Sequence, residues 1–294
     1  MRVFVTGASG FVGSAVVAAL LAKGHQVLGL ARSAQSAEKL AAAGAEVLLG
    51  DLSDSACLMA GASQCDGVIH TGFNHDFSKF VENCEMDRQA IVAMAEAMAG
   101  SNKPLLVTSG VGVLGGLGRT ILESDRASDN FPRKSEQAAD EALNMGVKAM
   151  VIRLAPSTHG EGDHGFVPIL ISLAREKGFA GYVGDGGNRW CGVHRLDAAD
   201  LFVLALEKGE AGARYHAVAE SEVAMKAIAG QIAKGLGLEA KGLDVEAARE
   251  YFTWFEHFAS FDAPSSNRWT CQQLGWQPTR LGLLDDIAKP YYYR

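Results

Sequence analysis

The chain is short of cysteine and proline and has no basic cluster, and these shortages exclude whole classes of protein. Its five cysteines, Cys57, Cys65, Cys84, Cys191 and Cys271, are odd in number, scattered and without a CxxC pair, so they read as reduced thiols rather than a disulfide or zinc framework. A cytoplasmic location is expected on that ground. Lysine and arginine total 27 against 34 aspartates and glutamates, a net charge of −7, which argues against a nucleic-acid partner. No apolar run is long enough to span a bilayer, and with the first strand expected from Met1 onward no signal segment is expected. A membrane is therefore not expected as a partner either. The remaining composition, 48% hydrophobic and 21% charged over 294 residues, suits a globular enzyme of one large or two smaller lobes.

What the chain does have is a glycine-punctuated start. Met1 to Val5 is an apolar, β-branched run of strand length, followed by Thr6-Gly7-Ala8-Ser9-Gly10-Phe11-Val12-Gly13 and a helix predicted over Phe11 to Lys23. Such glycines permit a tight turn, let backbone N–H groups approach a pyrophosphate at the positive end of the helix, and let that helix pack closely on the strand. Gly7, Ser9, Gly10, Phe11, Val12 and Gly13 are the candidate cradle.

A second strand, Gln26 to Ala31, completes a βαβ unit, and its end selects the cofactor. An NAD site would place Asp or Glu there for the ribose hydroxyls, but no carboxylate occurs between Lys23 and Glu38, and Arg32-Ser33 stands at the strand end. A guanidinium fork and a hydroxyl suit a 2′-phosphate, so NADP(H) is the expected cofactor. A third strand, Glu46 to Leu49, ends in Gly50-Asp51-Leu52. Asp51 and Leu52 are candidate adenine-side contacts, although an Asp heading the next helix is equally explained as its N-cap.

The fourth strand, Gly67 to His70, runs into Thr71-Gly72-Phe73-Asn74-His75-Asp76, where Thr71, Gly72 and Phe73 can pass close over the cofactor. A helix over Lys79 to Ala99 and a fifth strand over Pro104 to Thr108 follow, the latter ending at Ser109. A helix over Arg133 to Met145 and a sixth strand over Lys148 to Arg153 come next, with Pro156 and Ser157 beyond that strand expected beside the nicotinamide. This alternation predicts an α/β fold: a doubly wound parallel Rossmann sheet covered on both faces.

Together these residues resemble the short-chain dehydrogenase/reductase superfamily, in particular its extended NAD(P)-dependent epimerase/dehydratase-like members. Thr6-Gly7 to Gly13 matches TGxxGxxG, and Gly50-Asp51-Leu52 matches the adenine-side motif. Val113-Leu114-Gly115 resembles the VYG after the catalytic-serine strand, and Pro156 to Asp163 resembles PxVYGPGD. Val193 to Asp197 resembles VHVxD, and Leu274-Gly275-Trp276-Gln277-Pro278 matches LGWxP. The resemblance covers nearly the whole chain. It implies that residues 1–155 and about 191–220 form a cofactor-binding domain, and about 156–190 and 221–294 a smaller substrate lobe.

The catalytic residues depart from the pattern. In the family a Tyr moves the substrate proton, a Lys four residues later lowers its pKa, and a Ser polarises the substrate oxygen. Where YxxSKxxAE would stand, this chain has Pro132-Arg133-Lys134-Ser135-Glu136-Gln137-Ala138-Ala139-Asp140. Proline takes the tyrosine position and glutamate the lysine position, and Gly110 falls at the serine with Ser109 one residue early. The chain thus looks like an atypical member whose chemistry is altered or absent.

Replacement proton donors are sought at the nicotinamide end, where His75 and His159 are the candidate catalytic residues. His159, Glu161, Asp163 and His164 share a glycine-rich loop, but the histidines lack a defined partner pair and no metal is assigned. Tyr251, Phe252, Trp254, Phe255, Phe258 and Phe261 read either as core or as a substrate-pocket wall. The expected function is an NADPH-dependent reductase of a small carbonyl or conjugated substrate, working as a monomer or homodimer. The alternatives are a non-catalytic NADP(H) sensor that relays to a protein partner and, third, a nucleotide-sugar epimerase/dehydratase.

Overall fold

Apolar runs with few polar positions, such as Val3-Phe4-Val5 and Gly67-Val68-Ile69, are buried on both faces, the pattern of strands in the middle of a covered parallel sheet. The computed structural model describes residues 1–294. Its first part alternates β1 (Arg2–Thr6), α1 (Phe11–Ala22), β2 (Gln26–Ala31), α2 (Ala34–Ala42), β3 (Glu46–Leu49), α3 (Ser55–Ser63), β4 (Gly67–His70), α4 (Phe80–Ala97), β5 (Pro104–Gly110), α5 (Ser135–Asn144) and β6 (Lys148–Leu154). The chain continues through β7 (Ser157–His159), α6 (Phe166–Lys177), β8 (Ala180–Val183), β9 (Arg189–His194), α7 (Arg195–Lys208), β10 (Arg214–Ala217), β11 (Glu220–Ala224), α8 (Met225–Leu236) and β12 (Ala240–Leu243). Helices α9 (Val245–Phe252), α10 (Glu256–Ser260), α11 (Arg268–Leu274) and α12 (Leu283–Ile287) finish it.

Seven parallel strands form the central sheet in the order β10-β6-β5-β4-β1-β2-β3. The strand order reverses between β1 and β4, which opens a crevice at the carboxyl ends of the strands. One face is covered by α1 and α7, and the other by α3, α4 and α5. A separate cluster of 20 buried residues, from Val167 to Tyr292, gathers α6, α8, α9, α10 and α12 around two small sheets, β11-β9-β7 and β12-β8.

Two local departures from expectation shape the cleft. The helix expected from Arg133 begins at Ser135, which leaves Pro132, Arg133 and Lys134 as a strap across the end of β5. The aromatic run divides between both readings: Tyr251, Phe252 and Phe255 are core, whereas Trp254 is 56% exposed. Thr253, at φ 51° and ψ −123°, sits in a backbone region that a β-branched residue rarely adopts. It ends α9 and turns Trp254 out of the core.

Candidate cofactor and substrate cleft

The crevice begins with a set of free amides. Gly10 opens α1 without a side-chain cap, and no acidic residue lies in the first turn. The N–H groups of Phe11, Val12 and Gly13 have no acceptor within the chain, so the positive end of the helix is available to an anion. Gly7 adopts φ +64°, and a β-carbon on it would lie 2.7 Å from the Gly72 nitrogen; one on Gly13 would lie 2.1 Å from the Gly7 carbonyl oxygen. Only glycine fits either place. A cradle of this chemistry fits the diphosphate of a dinucleotide.

At the end of β2, Arg32 is exposed and has neither a hydrogen-bond nor an ion-pair partner. Ser33 caps α2, its Oγ accepting from the Ser36 amide at 3.2 Å. Asp51 is not the cap of α3: its Oδ1 accepts from the Ser53 amide and hydroxyl at 3.0 and 2.9 Å, while Asp54 caps the helix by accepting from Cys57 at 3.0 Å. The N-cap alternative therefore passes to Asp54. Leu52 packs against Gly72, whose β-carbon would meet Leu52 Cδ2 at 2.9 Å. The turn after β3 and the loop after β4 thus meet on one side of the crevice. Thr71 anchors that loop by donating its hydroxyl to the Thr6 carbonyl at 2.8 Å.

Past β4 the crevice rests on a buried polar chain. The Gly72 amide donates to Thr6 Oγ1 at 3.3 Å, the Thr6 hydroxyl to His70 Nδ1 at 2.7 Å, and His70 Nε2 to Asp87 Oδ1 at 3.1 Å. Ser135 donates to the other Asp87 oxygen at 2.5 Å and accepts from Arg133 Nε at 2.9 Å. This direction gives every atom a partner of the right kind. Burial alone would raise the Asp87 pKa, but the His70 hydrogen bond and the Arg133 charge outweigh it and the pKa is lowered. Sequence reasoning missed this chain. Its signal was Asp87 at three- and four-residue spacing between Cys84 and Ile91, on the buried face of α4.

The residues at the positions where the family pattern has its triad are engaged in other contacts. Glu136, in the lysine position, takes Arg153 in a two-pronged pair at 2.8 Å to each oxygen, and Arg214 Nε also reaches it at 3.0 Å. Arg153 is wholly buried, and its guanidinium meets His216 Nε2 at 3.2 Å. Burial and the Arg153 charge lower the His216 pKa to about 3. Glu136 therefore belongs to the packing between α5, β6 and β10. The hydroxyls of Thr108, Ser109 and Ser157 are buried without a partner. They lie at the end of β5 and just beyond β6, where the crevice runs, and a buried unsatisfied hydroxyl calls for a ligand or a water. Pro156, next to Ser157, is half-buried.

The two candidate histidines have different surroundings. His75 opens to the cleft, edge-on to Phe73 at 5.2 Å and Phe77 at 6.3 Å. Crowding by the protein, then the charges of Arg133 and His164, lower its pKa. His159 is fully buried: Nδ1 bonds Asp286 Oδ2 at 2.8 Å, and Nε2 has no partner. The same knot holds Tyr291 on Asp286, and Tyr292, which accepts from the Gly160 amide at 3.2 Å and donates to Asp163 at 3.0 Å. Five His, Asp and Tyr side chains here bind one another, and no set of three His, Cys, Asp or Glu side chains is arranged to ligate a metal.

Two arginines not singled out from the sequence face the cleft. Arg133 lies over the Phe73 ring at 4.5 Å, and Arg195 lies over Phe11 at 5.1 Å, beside the open end of α1. Aromatic rings from both lobes meet opposite them. Phe77 stacks on Trp254 at 5.8 Å and touches Phe258 at 6.0 Å, while Phe80 stacks on Phe77 at 6.0 Å and meets Phe131 at 6.3 Å. The aromatic segment is thus core on one side and cleft wall on the other.

Known proteins extend the comparison. An uncharacterised protein of Schizosaccharomyces pombe is 46% identical over 295 residues, covering 100% of both chains. A 4-hydroxy-2-methyl-3-oxo-4-farnesyl-3,4-dihydroquinoline-1-oxide ketoreductase of Stigmatella aurantiaca is 27% identical over 85% of this chain and 78% of its own. The fold matches a dTDP-glucose 4,6-dehydratase of Streptomyces venezuelae with NAD bound, with a TM-score of 0.79, 20% identity and coverage of 100% and 97% of the two chains. No helix is long and apolar enough to cross a membrane. With residues 3–219 matching its family description, the chain belongs to the NAD dependent epimerase/dehydratase family.

Proposed function

We propose that the protein is an NADP(H)-dependent reductase of a small carbonyl or conjugated substrate that works without the family's tyrosine and lysine. The observation that carries this reading is the furnished cleft at the cofactor end: partnerless hydroxyls of Thr108, Ser109 and Ser157 at the end of β5 and just beyond β6, Arg133 held on the Thr108 carbonyl, His75 beside Phe73, and an aromatic wall from both lobes. A protein that only sensed its cofactor would need the cradle but not this second surface. The ketoreductase relative from Stigmatella aurantiaca supports hydride transfer to a carbonyl rather than sugar epimerisation.

In this reading the amides of Phe11, Val12 and Gly13 hold the diphosphate. Arg32 and Ser33 take the 2′-phosphate, and Asp51 and Leu52 border the adenine. Thr71, Gly72, Phe73, Ser109, Pro156 and Ser157 flank the nicotinamide half. The bound cofactor supplies the hydride. His75 provides the proton to the developing alkoxide, because it opens to the cleft while His159 is enclosed and committed to Asp286. The test is a carbonyl and enone panel with NADPH and NADH, followed by loss of reduced-nicotinamide absorbance. Turnover with NADPH supports the reading; tight NADPH binding with no turnover across the panel transfers it to a sensor.

A further inference from the structure

The Arg133 guanidinium is fixed on three sides and open on the fourth. Nε donates to Ser135 Oγ at 2.9 Å, Nη2 donates to the Thr108 carbonyl at 3.0 Å, and the plane lies over Phe73 at 4.5 Å. Nη1 has no partner, and no carboxylate pairs with Arg133 anywhere in the chain. The acid Asp87 is one hydrogen bond removed through Ser135, and both of its oxygens are occupied by His70 and Ser135. Holding a guanidinium in this way leaves little freedom to lose when its open edge meets a carboxylate, whose geometry matches the arginine fork.

The surroundings narrow the ligand further. Thr108 and Ser109, whose buried hydroxyls lack partners, lie on the strand that holds Nη2. Phe73, Phe77 and Phe80 on one lobe and Trp254 on the other supply apolar surface. Of the other titratable groups around this space, His75 and His164 carry no negative charge, and the buried carboxylate of Asp87 has both oxygens occupied by His70 and Ser135. A cation entering here would meet Arg133.

We propose that Arg133 binds the carboxylate of an apolar or aromatic carboxylic acid, which under the reductase reading makes the substrate an oxo acid. This specifies the ligand of the site assigned above and rests on that reading for the oxo group alone.

Binding, rather than turnover, tests it. The full chain is titrated calorimetrically, with and without saturating NADP⁺, with hydrocinnamate and with its uncharged amide. The acid should bind roughly tenfold or more tightly than the amide, as expected for a charge-assisted hydrogen bond. Arg133→Gln should abolish the preference and Arg133→Lys should keep part of it, with circular dichroism melts showing that each variant folds. Equal affinity for acid and amide, no binding of the acid, or a preference that survives in a folded Arg133→Gln protein overturns the proposal. A chain that prefers the acid through Arg133 yet oxidises no NADPH with any oxo acid keeps the anion site and loses the reductase reading. One that reduces neutral ketones without an acid preference keeps the reading and loses the anion site.

Discussion

Asp87 receives His70 at 3.1 Å with both side chains 1% exposed, which ties β4, the neighbour of the strand that enters the glycine cradle, to the helix that borders the substrate cleft. Asparagine at this position keeps an acceptor for His70 but replaces the charged acceptor of the Ser135 hydroxyl with an N–H group, so Asp87→Asn should lose about 1–3 kcal/mol of stability. The Asp87 pKa is lowered in the folded chain. Its contribution is therefore complete above the unfolded carboxylate value of about 4 and fades as pH falls through the lower folded value. Urea denaturation between neutral and acid pH should show a steeper acid loss for the parent than for Asp87→Asn; parallel curves would refute the assignment.

Arg32→Ala should weaken NADPH binding by about 1.5–3 kcal/mol, with little effect on NADH. Calorimetric titration of both cofactors checks this. If the variant binds NADPH like the parent, Arg32 is a solvated surface arginine.

Two of the three glycines of the cradle, Gly10 and Gly13, should separate folding from binding. Gly10 has φ −77°, and the only atom near its β-carbon position is the Gly7 oxygen at 3.0 Å. Gly10→Val should therefore fold yet fill the space a phosphate needs, so that NADPH no longer raises its melting temperature. Gly13→Ala, with its contact at 2.1 Å, should melt lower even without ligand. A Gly10→Val protein that keeps the ligand-induced shift argues against the cradle.

For His75, the expected outcome concerns both rate and pH. His75→Asn should reduce kcat by roughly 10²–10⁴-fold at unchanged NADPH affinity. Because its pKa is lowered from 6.5, the imidazolium that could donate is populated only as pH falls below that value. The parent's kcat should rise toward acid pH and the variant's should not. A flat parent profile with full activity in His75→Asn would leave water as the donor.

The sequence made the cofactor half legible because its signals are local. A β-branched run, a glycine turn and an apolar helix specify β1 and α1 within one residue of the expected bounds, and Gln26 to Ala31 and Glu46 to Leu49 are strands as expected. The second lobe was less legible. Strands β7, β8, β9, β11 and β12 are three to six residues long and pair with distant segments, so little of their order is written in local periodicity. Arg133 escaped notice for a related reason. Its role depends on Ser135, Thr108 and Phe73 meeting it from three parts of the chain, and adjacency to Pro132 was its only sequence mark.

The Glu136–Arg153 pair also bears on how this protein can change over generations. Glu136→Lys would place there the residue type expected from the family pattern, but it would set three cations, Lys, Arg153 and Arg214, together where side chains are at most 5% exposed. With loss of such a buried pair costing about 3–5 kcal/mol, much of a domain's whole stability would go in that single step. Melting of the purified variant measures it, and a small shift would show the barrier to be low. With the interior packed around this glutamate, a lysine at position 136 becomes tolerable only once Arg153 and Arg214 have changed. Substitutions at these three positions are therefore expected to depend on the order in which they occur.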